Sequence, residues 1–174
     1  MTLTAADRTG GSSLLQYFAD GGSAFSLHDL AVPMVVLSDN TATNMLIDAV
    51  GLDRVNATMA RLSRCDVPLT PASCAEVVRL LELPKGGTFR APIPAAVAVA
   101  WKPGSLDGVS TAWGIVKLAG APYAMAVMVT YGDGSAADVV GRISAAAYAH
   151  FAQRAGATDL GARVPPGVIR KPGR

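Results

Sequence analysis

The period of the hydrophobic pattern changes once along this chain, near residue 95, and that change constrains the fold more than any other feature. Before it, apolar residues recur at three- and four-residue spacing. Leu27, Leu30, Met34 and Leu37 form one such set, and Met45, Leu46 and Val50 another, the spacing of a helix face. After it come three short apolar segments, 95–102, 111–118 and 123–131, separated by Asp107-Gly108 and by Gly120-Ala121-Pro122. Segments of that length divided by turn residues read as a three-stranded antiparallel meander. An Ala-rich stretch, 136–154, then restores the helical period, with Val139, Val140, Ile143, Ala147 and Phe151 on its apolar face. Helices, then strands, then one helix is an α+β order, with helices packed on a small antiparallel sheet.

The helical half carries its own punctuation. Ser26-Leu27-His28-Asp29 is a capping box with Asp in place of Glu. Pro33 interrupts the helix that follows and is expected to kink it. Gly51 stops a helix over 41–50. Asp53 opens another over 53–62, and Thr70-Pro71 heads a fourth over 72–83. Residues 12–19 read as a short helix capped by Ser12 or Ser13, residues 1–11 as an extended lead-in with a Gly turn, and residues 84–94 as a linker-like loop. From Gly156 onward the chain is Pro/Gly-rich and basic, with Arg163, Arg170, Lys171 and Arg174, and a mobile tail is expected. The organisation is therefore one domain over 1–155 and a tail over 156–174.

Composition closes off several function classes. A chain of 174 residues that is 51% hydrophobic and 16% charged is not intrinsically disordered. Fifteen basic residues against thirteen acidic ones are too even a balance for a nucleic-acid partner. The longest apolar stretches, 91–101 and 121–131, fall short of the roughly 18 residues a membrane span needs. The first residues include Asp7, Arg8 and a Gly-rich stretch, unlike a signal peptide, so a cytoplasmic location is expected. Cys65 and Cys74 lack a metal-ligand or reactive context and read as free thiols, with a bridge between them as the alternative. His28 and His150 lie far apart, which argues against zinc, and no metal or cofactor is expected.

Two short motifs can carry chemistry. Ser38-Asp39-Asn40 lies between two helices, and Lys102-Pro103-Gly104-Ser105 lies at the end of the first strand segment. On spacing alone, the first is a loop whose Asp and Asn cap the next helix. The second, on the same grounds, is a solvated strand end followed by a Pro-Gly turn.

The residues around both motifs alter that reading. The run from Ser26-Leu27-His28-Asp29-Leu30 through Ser38-Asp39-Asn40-Thr41-Ala42-Thr43-Asn44-Met45-Leu46-Ile47 to Val50-Gly51-Leu52 resembles class A serine β-lactamases. So does Val99-Ala100-Trp101-Lys102-Pro103-Gly104-Ser105-Leu106-Asp107-Gly108-Val109, followed by Gly114-Ile115-Val116. The opening Leu3-Thr4-Ala5-Ala6-Asp7-Arg8-Thr9-Gly10-Gly11-Ser12 is similar to the segment that precedes this region in the family. The resemblance covers residues 3–154.

The family works through S-x-x-K, S-D-N and K-T-G motifs and an acidic residue in a separate loop. The resemblance implies that the Ser38 hydroxyl relays a proton toward the leaving lactam nitrogen. It makes Asn40 a contact for the substrate's amide side chain and Asp39 a structural pin of the loop. Lys102 would supply positive charge for the substrate carboxylate. Gly104 and Ser105 would complete the substrate-binding strand, with the Ser105 N–H as one of two oxyanion donors, a contribution of about 3–4 kcal/mol in the transition state.

The chain departs from the pattern in four places. No S-x-x-K exists, since the residues three before Lys85, Lys102, Lys117 and Lys171 are Glu82, Val99, Gly114 and Val168. In the family the nucleophile motif lies upstream of the segment with which this chain opens. The acidic loop is missing, and Asp66 is the one carboxylate in the shortened connection before Thr70-Pro71. Pro103 replaces the hydroxyl residue of Lys-Thr-Gly, which removes a donor to the carboxylate and a backbone N–H in a strand. The stretch between Leu83 and Ala95 is too short for the family's helices.

Against the family the chain therefore reads as truncated and degenerate, lacking the N-terminal strands and the S-x-x-K helix. β-Lactam amide hydrolysis is implied by the family, and no turnover is expected from these residues, so whether the chain is an enzyme stays open. The alternatives are a non-catalytic module that binds a β-lactam or cell-wall peptide, or a structural remnant that pairs with another chain. The implied partners are a small-molecule β-lactam or cell-wall peptide and a second chain docked on the edge of the strand over 123–131. That edge is long, uncharged and expected to be open.

Overall fold

The computed structural model describes residues 1–19, 21–63, 71–132, 136–158 and 161–162. It divides into two compact units, Met1–Lys85 and Gly86–Arg174. The described residues form an α+β chain with four helices ahead of a three-stranded sheet and a fifth after it.

In the first unit, α1 spans Leu27–Leu37, α2 Asn40–Val50, α3 Leu52–Ser63 and α4 Pro71–Glu82. Ser26 caps α1 as the sequence predicts: its hydroxyl accepts from the Asp29 N–H at 3.0 Å, and the Asp29 carboxylate accepts from the Ser26 N–H at 3.1 Å. Pro33 stays inside α1. Gly51 ends α2 with φ 86°, a conformation only glycine takes without strain. α1 packs against α2 and α4, and α2 against α3. The core is Leu3, Leu15, Leu30, Ala42 and Met45, each worth roughly 1.5–3 kcal/mol of burial for its larger side chains.

The lead-in differs from its expected form. Thr4 and Asp7 make a reciprocal capping pair over a 3₁₀ turn, Ala5–Asp7. Residues 12–19 form only a short 3₁₀ turn, Leu15–Tyr17. Ser13 is buried instead of capping an α-helix, because its hydroxyl is drawn onto Asp39 and Thr41. The Thr70 cap and Cys65 lie outside the described residues.

In the second unit, β1 is Val99–Leu106, β2 Val109–Val116 and β3 Tyr123–Thr130, paired antiparallel in the order β1-β2-β3. The hairpin turn is Asp107-Gly108, with Gly108 at φ 75°. β1 starts four residues later than the pattern suggests and runs four residues further. Residues 95–98 are instead turned, with the Arg90 guanidinium donating to the carbonyls of Ile93, Pro94, Ala95 and Val97. The 84–94 segment is not a plain linker. Phe89 and Ile93 are core residues, and Phe89 stacks on Trp101 at 5.5 Å.

The last helix, α5, is Ala137–Ala155 and packs on β2 and β3. Its inward face is Val140, Ser144, Ala147, Tyr148 and Phe151. Val139 and Ile143, expected on that face, are exposed. The polar Ser144 takes the inward position because its hydroxyl donates to the Phe89 carbonyl at 2.6 Å. After α5, Ala157–Thr158 pairs with Gly161–Ala162. The remainder of the expected tail lies outside the described residues.

Candidate functional site

Ser38 occupies the junction of α1 and α2 in a left-handed conformation, φ 57° and ψ 39°. It is the one non-glycine with positive φ among the described residues, in a region that costs an ordinary side chain free energy. The neighbouring residue holds it there. Asp39 caps α2 and is fully buried. Its carboxylate accepts from the Ala42 N–H at 2.9 Å, the Ser13 hydroxyl at 3.0 Å, and the Leu14 and Leu15 N–H groups at 2.5 and 3.0 Å. Burial works against its charge, but the hydrogen bonds from Ala42, Leu15, Leu14 and Ser13 outweigh it and hold the carboxyl below the usual range.

The segment before α1 completes this clamp. The Ser12 hydroxyl donates to the Leu37 carbonyl at 2.7 Å, and the Asn40 N–H donates to the Ser12 carbonyl at 2.7 Å. The Asn40 side-chain amide donates to the Gly10 carbonyl at 2.9 Å. A Cβ on Gly11, itself at φ 84°, would lie 3.1 Å from that amide nitrogen. Thr41 is buried, its hydroxyl oxygen accepting from the Thr9 N–H and lying 2.8 Å from the Ser13 hydroxyl oxygen. Ser12, Ser13 and Thr41 were invisible as site-building residues in the sequence. The signal that pointed nearest to them was Gly10-Gly11-Ser12, whose turn brings three hydrogen-bonding residues against the Ser38 junction.

In the second unit, Lys102, Pro103, Gly104 and Ser105 lie inside β1, not at its end, and Pro103 is a strand residue, not a loop one. Lys102 is half-buried, and its ammonium donates to the Pro103 carbonyl at 3.2 Å. Burial pushes its pKa down from the ordinary lysine value. Gly104 stands opposite Thr111, where a Cβ would lie 2.6 Å from the Thr111 hydroxyl oxygen, so a side chain there would have to displace that hydroxyl. Pro103, Gly104 and Ser105 border a cavity of about 280 Å3 that Phe89, Trp101 and Val140 also line.

The register decides which way each backbone group in β1 points. The Lys117 N–H donates to the Ala98 carbonyl at 2.9 Å, next to the pair Val99↔Val116. Antiparallel ladders alternate, so Ala100, Lys102, Gly104 and Leu106 bond β2, while the backbone of Val99, Trp101, Pro103 and Ser105 is turned away from it. The missing N–H of Pro103 therefore costs no β1–β2 bond. Proline is tolerated at such an edge position, and the Ser105 N–H points to the same side.

Asp66, Cys65 and their loop lie outside the described residues. Cys74 is a free, half-buried thiol. No group of three His, Cys, Asp or Glu able to hold a metal occurs among the described residues, and no described helix is long and apolar enough to cross a membrane.

A sequence-family model described as the beta-lactamase enzyme family matches residues 1–68 and 66–151. No curated protein sequence matches the chain. Among solved structures, the chain is similar to a beta-lactamase from Sphaerobacter thermophilus DSM 20745, at 26% identity and a TM-score of 0.77, covering 87% of this chain and 73% of that one. A protein named PBP-A gives 21% identity and a TM-score of 0.72, covering 87% and 70%. A class A beta-lactamase from Mycobacterium abscessus gives 17% identity and a TM-score of 0.67, covering 87% and 74%. The last two likenesses show the fold alone.

Proposed function

Because the chain belongs to the beta-lactamase enzyme family, we propose that its Ser38-Asp39-Asn40 turn and its Lys102-Pro103-Gly104-Ser105 strand each carry the family's chemistry for a β-lactam or a related cell-wall peptide, and that these 174 residues do not turn it over. Each motif has a distinct task in this reading. Ser38 presents a hydroxyl for proton relay to the lactam nitrogen, and Asn40 faces the amide side chain of the substrate. Lys102 attracts its carboxylate, and the Ser105 N–H donates to the oxygen of the attacked carbonyl. Asp39 and Pro103 shape the backbone on which these groups stand.

The observation that carries the reading is the orientation of the Ser105 N–H, on the side of β1 turned away from β2 and next in line to Lys102. A peptide N–H in that position can donate to a developing oxyanion. The negative half of the reading comes from the lysines, none of which follows a serine by three positions. Without a nucleophile and its base, an acyl-enzyme does not form, and turnover falls by several orders of magnitude even where the donors remain.

Two measurements on the same protein test this. A chromogenic cephalosporin is expected to show no hydrolysis above buffer, and hydrolysis would overturn the claim of no turnover. Calorimetric titration with benzylpenicillin is expected to give a binding isotherm that Lys102→Met weakens at least about tenfold, as for loss of a charge partner. Heat indistinguishable from dilution would remove the recognition claim.

A further inference from the structure

One peptide unit of β1 carries both a bond to β2 and a group turned away from it. The Gly104 carbonyl and the Ser105 N–H belong to the same planar amide and point in opposite directions. By the alternation of the ladder, Gly104 and Thr111 are a hydrogen-bonded pair, so the Gly104 carbonyl accepts from β2 and the Ser105 N–H is directed outward. A donor placed on that carbonyl therefore acts on the N–H through the delocalised electrons of the amide.

Thr111 binds that carbonyl twice. In a bonded antiparallel pair the partner's backbone N–H donates to it, and the partly buried Thr111 hydroxyl donates to the same Gly104 carbonyl at 3.4 Å. A carbonyl oxygen has two lone pairs and takes both donors. Glycine at 104 makes the second bond possible, since a Cβ there would lie 2.6 Å from the Thr111 hydroxyl oxygen and push it off the carbonyl. Opposed residues share a face of the sheet, so Thr111 stands on the face of β1 that carries Lys102 and Gly104, two positions apart.

We propose that Thr111 is a positioning residue for the Ser105 N–H: its hydroxyl fixes the plane of the Gly104–Ser105 amide and draws electron density toward the Gly104 oxygen, which makes the Ser105 N–H a stronger donor. Hydrogen bonds in a chain polarise one another, each strengthened by roughly 10–30%. Two bonds from one residue to one oxygen also resist rotation of the amide plane, and the direction of the N–H decides how well it meets a developing oxyanion. Thr111 touches no ligand in this role. That a ligand uses the Ser105 N–H rests on the substrate reading above, whereas the coupling of Thr111 to that N–H does not.

The test compares variants by two spectroscopic signals. Thr111→Val keeps the branched shape and removes the hydroxyl, Thr111→Ser keeps the hydroxyl, and Gly104→Ala displaces it. In the ligand-free protein, the magnetic-resonance signal of the Ser105 amide proton is expected to move upfield in Thr111→Val and Gly104→Ala and to return in Thr111→Ser, while circular dichroism stays unchanged. With benzylpenicillin carrying carbon-13 at the lactam carbonyl, the infrared stretch of the bound carbonyl is expected to rise in Thr111→Val and return in Thr111→Ser, with affinity lowered about twofold in the valine variant. If Thr111→Val fails to fold, Gly104→Ala decides by the same proton signal. A Ser105 proton that does not move in a folded variant, or that Thr111→Ser does not restore, overturns the proposal. A bound lactam stretch that differs from free penicillin but is the same in parent and Thr111→Val overturns it as well. No binding heat with the parent, or a bound stretch equal to that of free penicillin, removes the substrate reading instead, and the ligand-free signal then decides the role of Thr111.

Discussion

The Ser13 hydroxyl donates to the buried Asp39 carboxylate at 3.0 Å, across 26 positions of sequence. That bond joins the lead-in segment to the α1–α2 junction, and with the Leu14, Leu15 and Ala42 N–H groups it surrounds one carboxylate with four donors. The left-handed Ser38 sits one residue away, so the geometry of the candidate relay serine depends on this cluster.

Asp39→Ala is expected to be among the most damaging single changes in the first unit. It leaves several buried donors without a partner and removes the α2 cap. The expected loss is about 3–5 kcal/mol, as for breaking a buried charged network. Ser13→Ala removes one donor of four and should cost about 1 kcal/mol. Chemical denaturation of both variants checks the ranking, and equal midpoints would contradict it.

The same carboxylate sets an acid limit. Its folded pKa is lowered relative to the unfolded chain, where an Asp titrates near ~3.9. The unfolded state therefore binds its proton first as pH falls. The contribution to stability is fully present above the unfolded value and is lost as pH drops through the lower, folded value. Asp29 and Glu76 are shifted the same way by their partners Ser26 and Arg79, but both are exposed and solvent screens them. Melting temperature measured against pH should thus fall less steeply below about pH 4 in Asp39→Asn than in the parent chain.

The face of α5 gives a paired test of packing. Val140 is 2% exposed and belongs to the sheet core, while its neighbour Val139 is 38% exposed. Val140→Ala should cost about 2 kcal/mol through lost burial and the cavity left behind. Val139→Ala should stay within about 0.5 kcal/mol of the parent. Urea midpoints for the two variants check this, and the reverse order would mean that α5 is rotated on the sheet.

Several features were legible because their causes are local. The Ser26–Asp29 cap, the Gly51 stop and the Asp107-Gly108 turn depend on residues within one turn of chain, and the structure has each where the sequence puts it. The α+β order followed from a change of period. The errors arose where a side-chain hydrogen bond, near or far in sequence, overrides the hydrophobic pattern. Residues 95–98 carry a strand-like pattern, but Arg90 gathers the carbonyls of Pro94, Ala95 and Val97 into a turn. Val139 and Ile143 suit a helix face, but Ser144 takes the inward place through Phe89, 55 residues away.

The candidate site divides the same way. Sequence by itself determined the identity of Ser38, Asp39, Asn40, Lys102, Pro103, Gly104 and Ser105, the absence of any Ser-x-x-Lys, and the order of elements that carry them. Those follow from residue type and spacing, which need no third dimension. Only tertiary structure decided that Asp39 is sealed under donors from residues 13–15, that the Asn40 amide rests on Gly10, and that Pro103 costs β1 nothing. Hydrogen bonds between distant segments and the alternation of a paired strand determine those facts. Both depend on which backbone atoms meet across space, a quantity that spacing along one chain does not contain.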